Sequence, residues 1–242
     1  MGQGRRHLFL SPHPDDIAFS AFASLVRVPP GETRTLVTVF SRSCFTYAAP
    51  GVREQALTIS SRRKEEDSRF ARAHGAEWVA LDFPDSSLRP LPAGEEYRRA
   101  SGEEPLYPAV LAELRALLEA AGPEAVCHVP LGISQHVDHL MVRDAVLALR
   151  GGPHGLVFHE DLPYAERHSE EQVRDFVRAL GVEPPLEPER VGLTRDWGAK
   201  RRAVRMYESQ LEPDTLERLE RHARRVATGD GLAERVWKAG RP

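Results

Sequence analysis

Cysteine is scarce: the 242 residues hold two, Cys44 and Cys127, far apart and without CxxC spacing. That excludes a disulfide scaffold and a thiolate metal finger, and suits a cytoplasmic protein with two free thiols. No apolar run is long enough to cross a membrane. The apolar stretch before His13 is too short for a signal-peptide core, and no small-residue cleavage site follows it. Arg6 stands where a myristoylation signal after Met1-Gly2 has Ser or Thr. Neither charge sign dominates, with 33 Lys and Arg against 36 Asp and Glu, a formal net of −3. Nucleic acid is therefore not an expected partner, and the basic run Arg221 to Arg225 reads as a solvated helix face. There is no internal repeat. No G-x-G-x-x-G follows the first apolar run, which argues against a nucleotide-binding Rossmann enzyme.

What is present is alternation. His7 to Ser11, Thr35 to Phe40, Glu77 to Asp82, Ala125 to Val129 and Leu156 to His159 are short apolar or β-branched runs bounded by turn residues. Between them lie helical patterns at Ile17 to Val28, Ser61 to His74, Ala109 to Ala121 and His139 to Leu149. Gly75, Gly122 and Gly151-Gly152 supply C-terminal stops. The alternation predicts an α/β fold, Rossmann-like, with a mostly parallel sheet and helices on both faces. Pro90 to Pro108 reads as a long surface loop and Pro184 to Glu189 as a rigid linker. One domain over 1–242 is expected, with a helical part from about 196 to 240 packed as an extension.

Ligands of such sheets bind beyond the carboxyl ends of the strands. Two polar runs fall there: Pro12-His13-Pro14-Asp15-Asp16 after the first strand, and His136-Val137-Asp138-His139 after the Ala125 strand. Paired buried carboxylates need a compensating cation or donors, and a divalent metal supplies the charge directly. Catalytic zinc usually takes three protein ligands and keeps one position open. The first run offers two ligands and a spare carboxylate. The third ligand comes from His136 or His139, whose spacing of three puts both on one helical face. One can bind metal while the other reaches substrate, and Asp138 can orient an imidazole. The plainer alternative is that PHPD is a turn whose Asp caps the next helix.

The segment HLFLSPHPDDIAFSAFASL resembles the opening of the PIG-L/LmbE-like deacetylases. Their second hallmark, H-x-D-H at a helix start, is matched by His136 to His139. Arg62 to Asp67 with His74-Gly75 is similar to the family's R-x-x-E-D helix, and Phe83-Pro84-Asp85 to its F-x-D turn, with Arg89 following as in one subgroup. His159 to Tyr164 resembles a Y-E-D-x-P-Y segment, and Lys200 to Gln210 a K-x-x-A-x-x-x-Y-x-S-Q helix. The resemblance implies that His13, Asp16 and His139 are metal ligands, with Zn2+ the usual metal and another divalent ion possible. It implies Asp15 as general base and His136 as the group that stabilises the oxyanion or protonates the amine, with Asp138 as its orienting partner. It implies N-acetyl groups on N-acetylglucosamine or related amino sugars as substrates.

Arg63 and Asp85 are candidate sugar contacts; the plainer readings are an Arg63–Glu66 surface pair and a turn role for Asp85. Glu160 and Asp161 read as loop caps more than as pocket groups. Of the remaining histidines, none has a defensible partner spacing, and His128 reads as a core or supporting residue. The expected pocket is framed by Phe45 to Pro50, Pro84 to Pro90 and Pro163 to Arg167. Ile17 replaces the family's usual Glu after the paired aspartates, and Phe22-Ala23 stands near its Gly-Gly, which bears on the substrate accepted. Two alternatives stay open: an amidase for a bulkier amide such as a thiol-sugar conjugate, and a non-catalytic sugar-binding relative. A small-molecule amino-sugar partner, no membrane and a possible oligomer complete the expectations.

Overall fold

The structure, a computed structural model, describes residues 4–47, 55–150 and 155–239. The expected loop wall from 48 to 50, the Gly151-Gly152 stop and His154 lie outside the described residues.

Seven strands form one sheet: β1 (Arg6–Ser11), β2 (Thr33–Thr38), β3 (Glu77–Ala80), β4 (Val126–Pro130), β5 (Leu156–His159), β6 (Leu186–Gly192) and β7 (Ala233–Ala239). Their order is β3-β2-β1-β4-β5-β7-β6. The first five are parallel, and β7 runs antiparallel to both β5 and β6. The expected mostly parallel α/β sheet is therefore present. β1 is the middle one of the five parallel strands, and its Leu8, Phe9 and Leu10, which alternate across the sheet, are all buried, so both faces are covered.

The helices among the described residues are α1 (Asp16–Ser20), α2 (Phe22–Val26), α3 (Ala56–Ala73), α4 (Tyr107–Ala121), α5 (Val137–Arg150), α6 (Glu170–Ala179), α7 (Trp197–Val204) and α8 (Thr215–Val226). Chain order steps outward from β1 to β2 and β3, then returns to β4 on the other side of β1. With right-handed crossovers, that reversal puts α3 on one face and α4 and α5 on the other. It also opens a crevice between the ends of β1 and β4, where the two polar runs emerge.

Three readings of the C-terminal third need correction. The stretch from 184 to 189 is not a linker, since Leu186–Gly192 is β6. The part from 196 to 240 is not all helical, since Ala233–Ala239 is β7. β6 is an edge strand with few buried positions, so it lacks the apolar signature. β7 is buried, but its Glu234 and Arg235 are neutralised by partners rather than by water. Arg235 Nε lies 2.5 Å from Glu160 Oε1, and Trp237 Nε1 donates to the same oxygen at 2.8 Å. The Lys200–Gln210 stretch is also not one helix. α7 stops at Val204 because Tyr207 and Ser209 turn toward α3. Tyr207 donates to Asp67 (2.7 Å), and the Ser209 amide and hydroxyl donate to Glu66 (2.9 and 2.6 Å).

The helix expected over Ile17 to Val28 breaks at Ala21, and a buried ion pair closes the break. Lys200 Nζ donates to the Phe19 carbonyl (2.6 Å) and to Glu234 Oε1 (2.5 Å), while Glu234 Oε2 accepts from the Ala23 amide at 2.8 Å. Both side chains are almost fully buried. The orphaned groups at the end of α1 and the start of α2 are thus satisfied from α7 and β7. Lys200→Met leaves Glu234 buried without its cation. We expect a loss of about 3–5 kcal/mol, read as a lower urea midpoint at unchanged slope.

Candidate active site

The turn after β1 is held from three sides. The Ser11 hydroxyl donates to the His13 carbonyl (2.6 Å), the His13 amide donates to Asp16 Oδ2 (2.7 Å), and Arg63 Nη2 donates to the Pro14 carbonyl (3.3 Å). Asp15 sits inside this frame at φ 107°. A non-glycine residue there costs about 1–3 kcal/mol and persists only where its surroundings impose it. Asp15 occupies the N-cap position of α1, yet its carboxylate makes no capping bond. The plain helix-cap alternative for the PHPDD run therefore does not hold. Burial and the charges of Asp16 and Asp67 raise the Asp15 pKa well above the ordinary range, against the pull of Arg63 and His139.

Each candidate metal-binding imidazole has one nitrogen already engaged by a carboxylate. His13 Nε2 lies 2.8 Å from Asp138 Oδ2, and His139 Nδ1 lies 2.5 Å from Asp161 Oδ1. Asp161 is fixed by the Ile133 amide (2.8 Å), and Asp138 by the Ser86 amide (3.1 Å) and Arg89 Nη1 (2.6 Å). The remaining nitrogens face Asp16: His13 Nδ1 is 3.6 Å from Oδ2 and His139 Nε2 is 3.6 Å from Oδ1. Ligand atoms about 2 Å from a tetrahedral zinc stand roughly 3.3 Å apart, so the spacing fits. Carboxylates gripping the outer nitrogens are the usual support of metal-binding histidines. His13, Asp16 and His139 therefore suit a divalent metal.

A second group of potential donors, His13, His136 and Asp138, also converges. Its lone pairs are committed elsewhere. Asp138 accepts from His13 and Ser86 and pairs with Arg89. His136 Nδ1 accepts the Asp138 backbone amide at 3.3 Å. Although burial works against ionisation, the hydrogen bond from His13 and the charges of His136, His13 and Arg89 hold the Asp138 carboxyl below its usual range.

This corrects the expected role of Asp138. Its carboxylate lies 3.9 Å from His136 Nδ1 and does not orient that ring; it orients His13. His136 is instead set by the start of its own helix and by Ser86, whose hydroxyl is 3.2 Å from Nε2. Since Nδ1 accepts a backbone N–H, Nε2 carries the proton. Burial lowers the His136 pKa to about 3, outweighing the raising effect of Asp138. His139 behaves oppositely: burial opposes its charge, but Asp16 and Asp161 raise its pKa to about 9.

Arg63 and Asp85 both reach the cavity but spend their hydrogen bonds on the protein. Besides Pro14, Arg63 donates to Ser43 Oγ (2.9 Å) and stands 3.7 Å from Asp85. Asp85 accepts from the Ser87 amide at 3.0 Å and from its hydroxyl. The Arg63–Glu66 pair is absent, because Glu66 serves Ser209. Glu160 is buried against Arg235 and Trp237, away from the cavity rim. His128 stacks on Phe9 with centroids 4.0 Å apart, inside the sheet layer. Sequence reasoning missed Asp161, Arg89 and Ser86. The signal for the first two lay in the HEDLPY segment and in the Arg that follows the F-x-D turn.

The cavity over these residues has a volume of about 380 Å³. His13, Asp15, Asp16, His136 and His139 form its base. Its walls come from Phe45 and Tyr47 after β2, the 85–97 segment after β3, and Leu162 to Arg167 after β5. Glu212, Thr215 and Arg218 close the remaining side.

Residues 8–149 match the PIG-L family, described as GlcNAc-PI de-N-acetylase. The chain belongs to this family. It is an N-deacetylase. Among its relatives is a 2'-N-acetylparomamine deacetylase of Streptomyces fradiae, 35% identical over 97% of this chain and 82% of the relative. An enzyme of the same name from Niallia circulans is 25% identical over 70% of this chain and 72% of its own. A solved deacetylase–teicoplanin complex from teicoplanin biosynthesis superposes with a TM-score of 0.72 at 24% identity, over 96% of this chain and 97% of that one, and shares the fold. No helix among the described residues is long and apolar enough to cross a membrane.

In metal-free protein, Asp161→Asn removes the carboxylate beside His139. The His139 pKa should fall from about 9 toward the ordinary 6.5, read from imidazole chemical shifts. Metal affinity should fall about 10–100-fold. In the unaltered protein, protons compete for His139, so apparent metal affinity should weaken as pH drops below about 9.

Proposed function

We propose that the protein hydrolyses the N-acetyl group of an amino-sugar conjugate related to N-acetylparomamine, using zinc held by His13, Asp16 and His139. The carrying observation is the division of imidazole nitrogens: Asp138 and Asp161 occupy the outer ones, and the inner ones face Asp16. The similarity of both curated relatives, named as deacetylases of one acetylated amino sugar, supports the substrate class.

A zinc ion bound there would polarise the acetamide carbonyl and make water in the site more acidic. The remaining tasks belong to side chains. Asp15 has no capping duty and lies beside Asp16 at the cavity base. It takes a proton from the attacking water and delivers it to the departing amine, which cannot leave as an anion. His136 donates a hydrogen bond from Nε2 to the oxygen that becomes negative. Its pKa of about 3 keeps it neutral at working pH, so its task is donation rather than release of a proton to the amine. Arg63 positions Asp15 by holding the Pro14 carbonyl. Asp85 supports Arg63 and presents an edge to the sugar.

Acetate release from 2'-N-acetylparomamine tests this reading. Activity should disappear on metal removal and return with zinc. Asp15→Asn should retain metal, measured by elemental analysis, while turnover falls about 10²–10⁴-fold. Unchanged turnover in that variant would remove Asp15 as the base. Release of a larger acyl product with no acetate would transfer the site to the amidase class.

A further inference from the structure

The stretch from 90 to 108, expected as a surface loop, carries a carboxylate that is turned inward. Glu104 is only 3% exposed, and a glutamate so buried persists where it is paired. Its two oxygens face different cations. Oε2 stands 3.1 Å from Arg89 Nε, and Oε1 accepts from Arg99 Nη1 at 3.1 Å. Arg89 continues the line inward: its Nη1 is 2.6 Å from Asp138 Oδ1, and Asp138 Oδ2 is 2.8 Å from His13 Nε2. Four alternating charges therefore run from the partly exposed Arg99 to the imidazole whose other nitrogen faces Asp16.

Each link is braced. Arg89 Nη1 also donates to the Pro84 carbonyl at 3.2 Å, and its guanidinium lies over the Phe40 ring, 5.6 Å from the centroid. The Glu104 amide donates to the Ser101 carbonyl (3.2 Å), and its carbonyl accepts from the Tyr107 amide (2.9 Å). The same segment is tied to α5 at a second point, where the Ser101 hydroxyl donates to Asp144 Oδ2 at 2.6 Å. A guanidinium is planar, so a guanidinium that faces Asp138 at Nη1 and Glu104 at Nε has one orientation. That orientation takes one oxygen of Asp138 and leaves the other to His13. Neither Glu104 nor Arg99 lines the cavity. Their influence on the chemistry therefore passes through Arg89 and Asp138.

We infer that Glu104 is a positioning residue for His13, acting through Arg89 and Asp138, and that metal affinity depends on it. The dependence of metal affinity rests on the reading of His13 as a metal ligand; the positioning of the imidazole does not.

The test starts from metal-free protein and the imidazole N–H resonances. Glu104→Gln keeps the shape of the side chain and removes its charge. It should move the His13 Nε2–H resonance and leave the His139 Nδ1–H resonance in place. Zinc affinity, measured by competition with a chelator, should fall about tenfold. In an Asp138→Asn background the same replacement should cause no further loss of affinity, since its route is already cut. Ser101→Ala loosens the segment at its other tie to α5; it should lower the unfolding midpoint and leave both the His13 resonance and zinc affinity unchanged. Glu104→Asp keeps the charge but withdraws it by one carbon, and should give a smaller shift of the His13 resonance; it replaces the Gln variant if that variant does not fold. A His13 resonance unmoved by replacement of Glu104, an equal effect from Ser101→Ala, or losses that add in the Asp138→Asn background would overturn the inference. A moved resonance with zinc affinity unchanged would overturn His13 as a metal ligand and leave its positioning by Glu104 standing.

Discussion

Four carboxylates, those of Asp15, Asp16, Asp138 and Asp161, crowd the end of the sheet, and the site is arranged around the cost of keeping them together. Their compensation is divided. Arg89 and the Ser86 amide serve Asp138, the Ile133 amide serves Asp161, and Arg63 holds the turn that presents Asp15. What remains uncompensated is the space between Asp16 and the two inner imidazole nitrogens. A proton on His139 fills part of that deficit, which is why its pKa rises to about 9 despite burial. A divalent ion fills it better. The same logic separates His139 from His136, three residues away on one helix start: one faces two carboxylates, the other is desolvated and bonded to a backbone amide.

Much of this was legible in the sequence. The PHPDD and HVDH runs, each following a strand, pointed to one sheet edge, and the strand order with its reversal between β1 and β4 brings them there. His13, Asp16 and His139, read from the sequence as candidate metal ligands, bring their donor atoms within 4.8 Å of one another. What escaped was the supporting layer. Asp161 lies 22 residues beyond His139, and Arg89 lies 49 residues before Asp138. No periodicity connects such positions, and only the packing of loops after β3 and β5 does so. Asp138 was paired with His136 through the family resemblance, whereas the start of the helix aims its carboxylate at His13.

The missed strands show a different limit. Binary pattern finds a strand when one face is apolar or both are. β6, at the edge, buries little, and β7 buries Glu234 and Arg235 in ion pairs that make its sequence look polar. A charged residue that is neutralised by a distant partner is indistinguishable, in sequence, from one that faces water. The family match ends at residue 149, yet Asp161, Lys200, Tyr207 and Glu234 all act on groups that precede that point.

The Lys200–Glu234 closure of the break between α1 and α2 has a consequence for how the protein is made. Glu234 reaches back 211 residues to the Ala23 amide. During synthesis the first helices emerge early, but the groups that satisfy their broken backbone emerge much later, with α7 and β7. Until then the segment just downstream of the PHPDD run has open hydrogen-bonding positions, so nascent chains cannot complete this layer in order of translation. Such distant closure favours late, concerted folding over stepwise growth from the N-terminus.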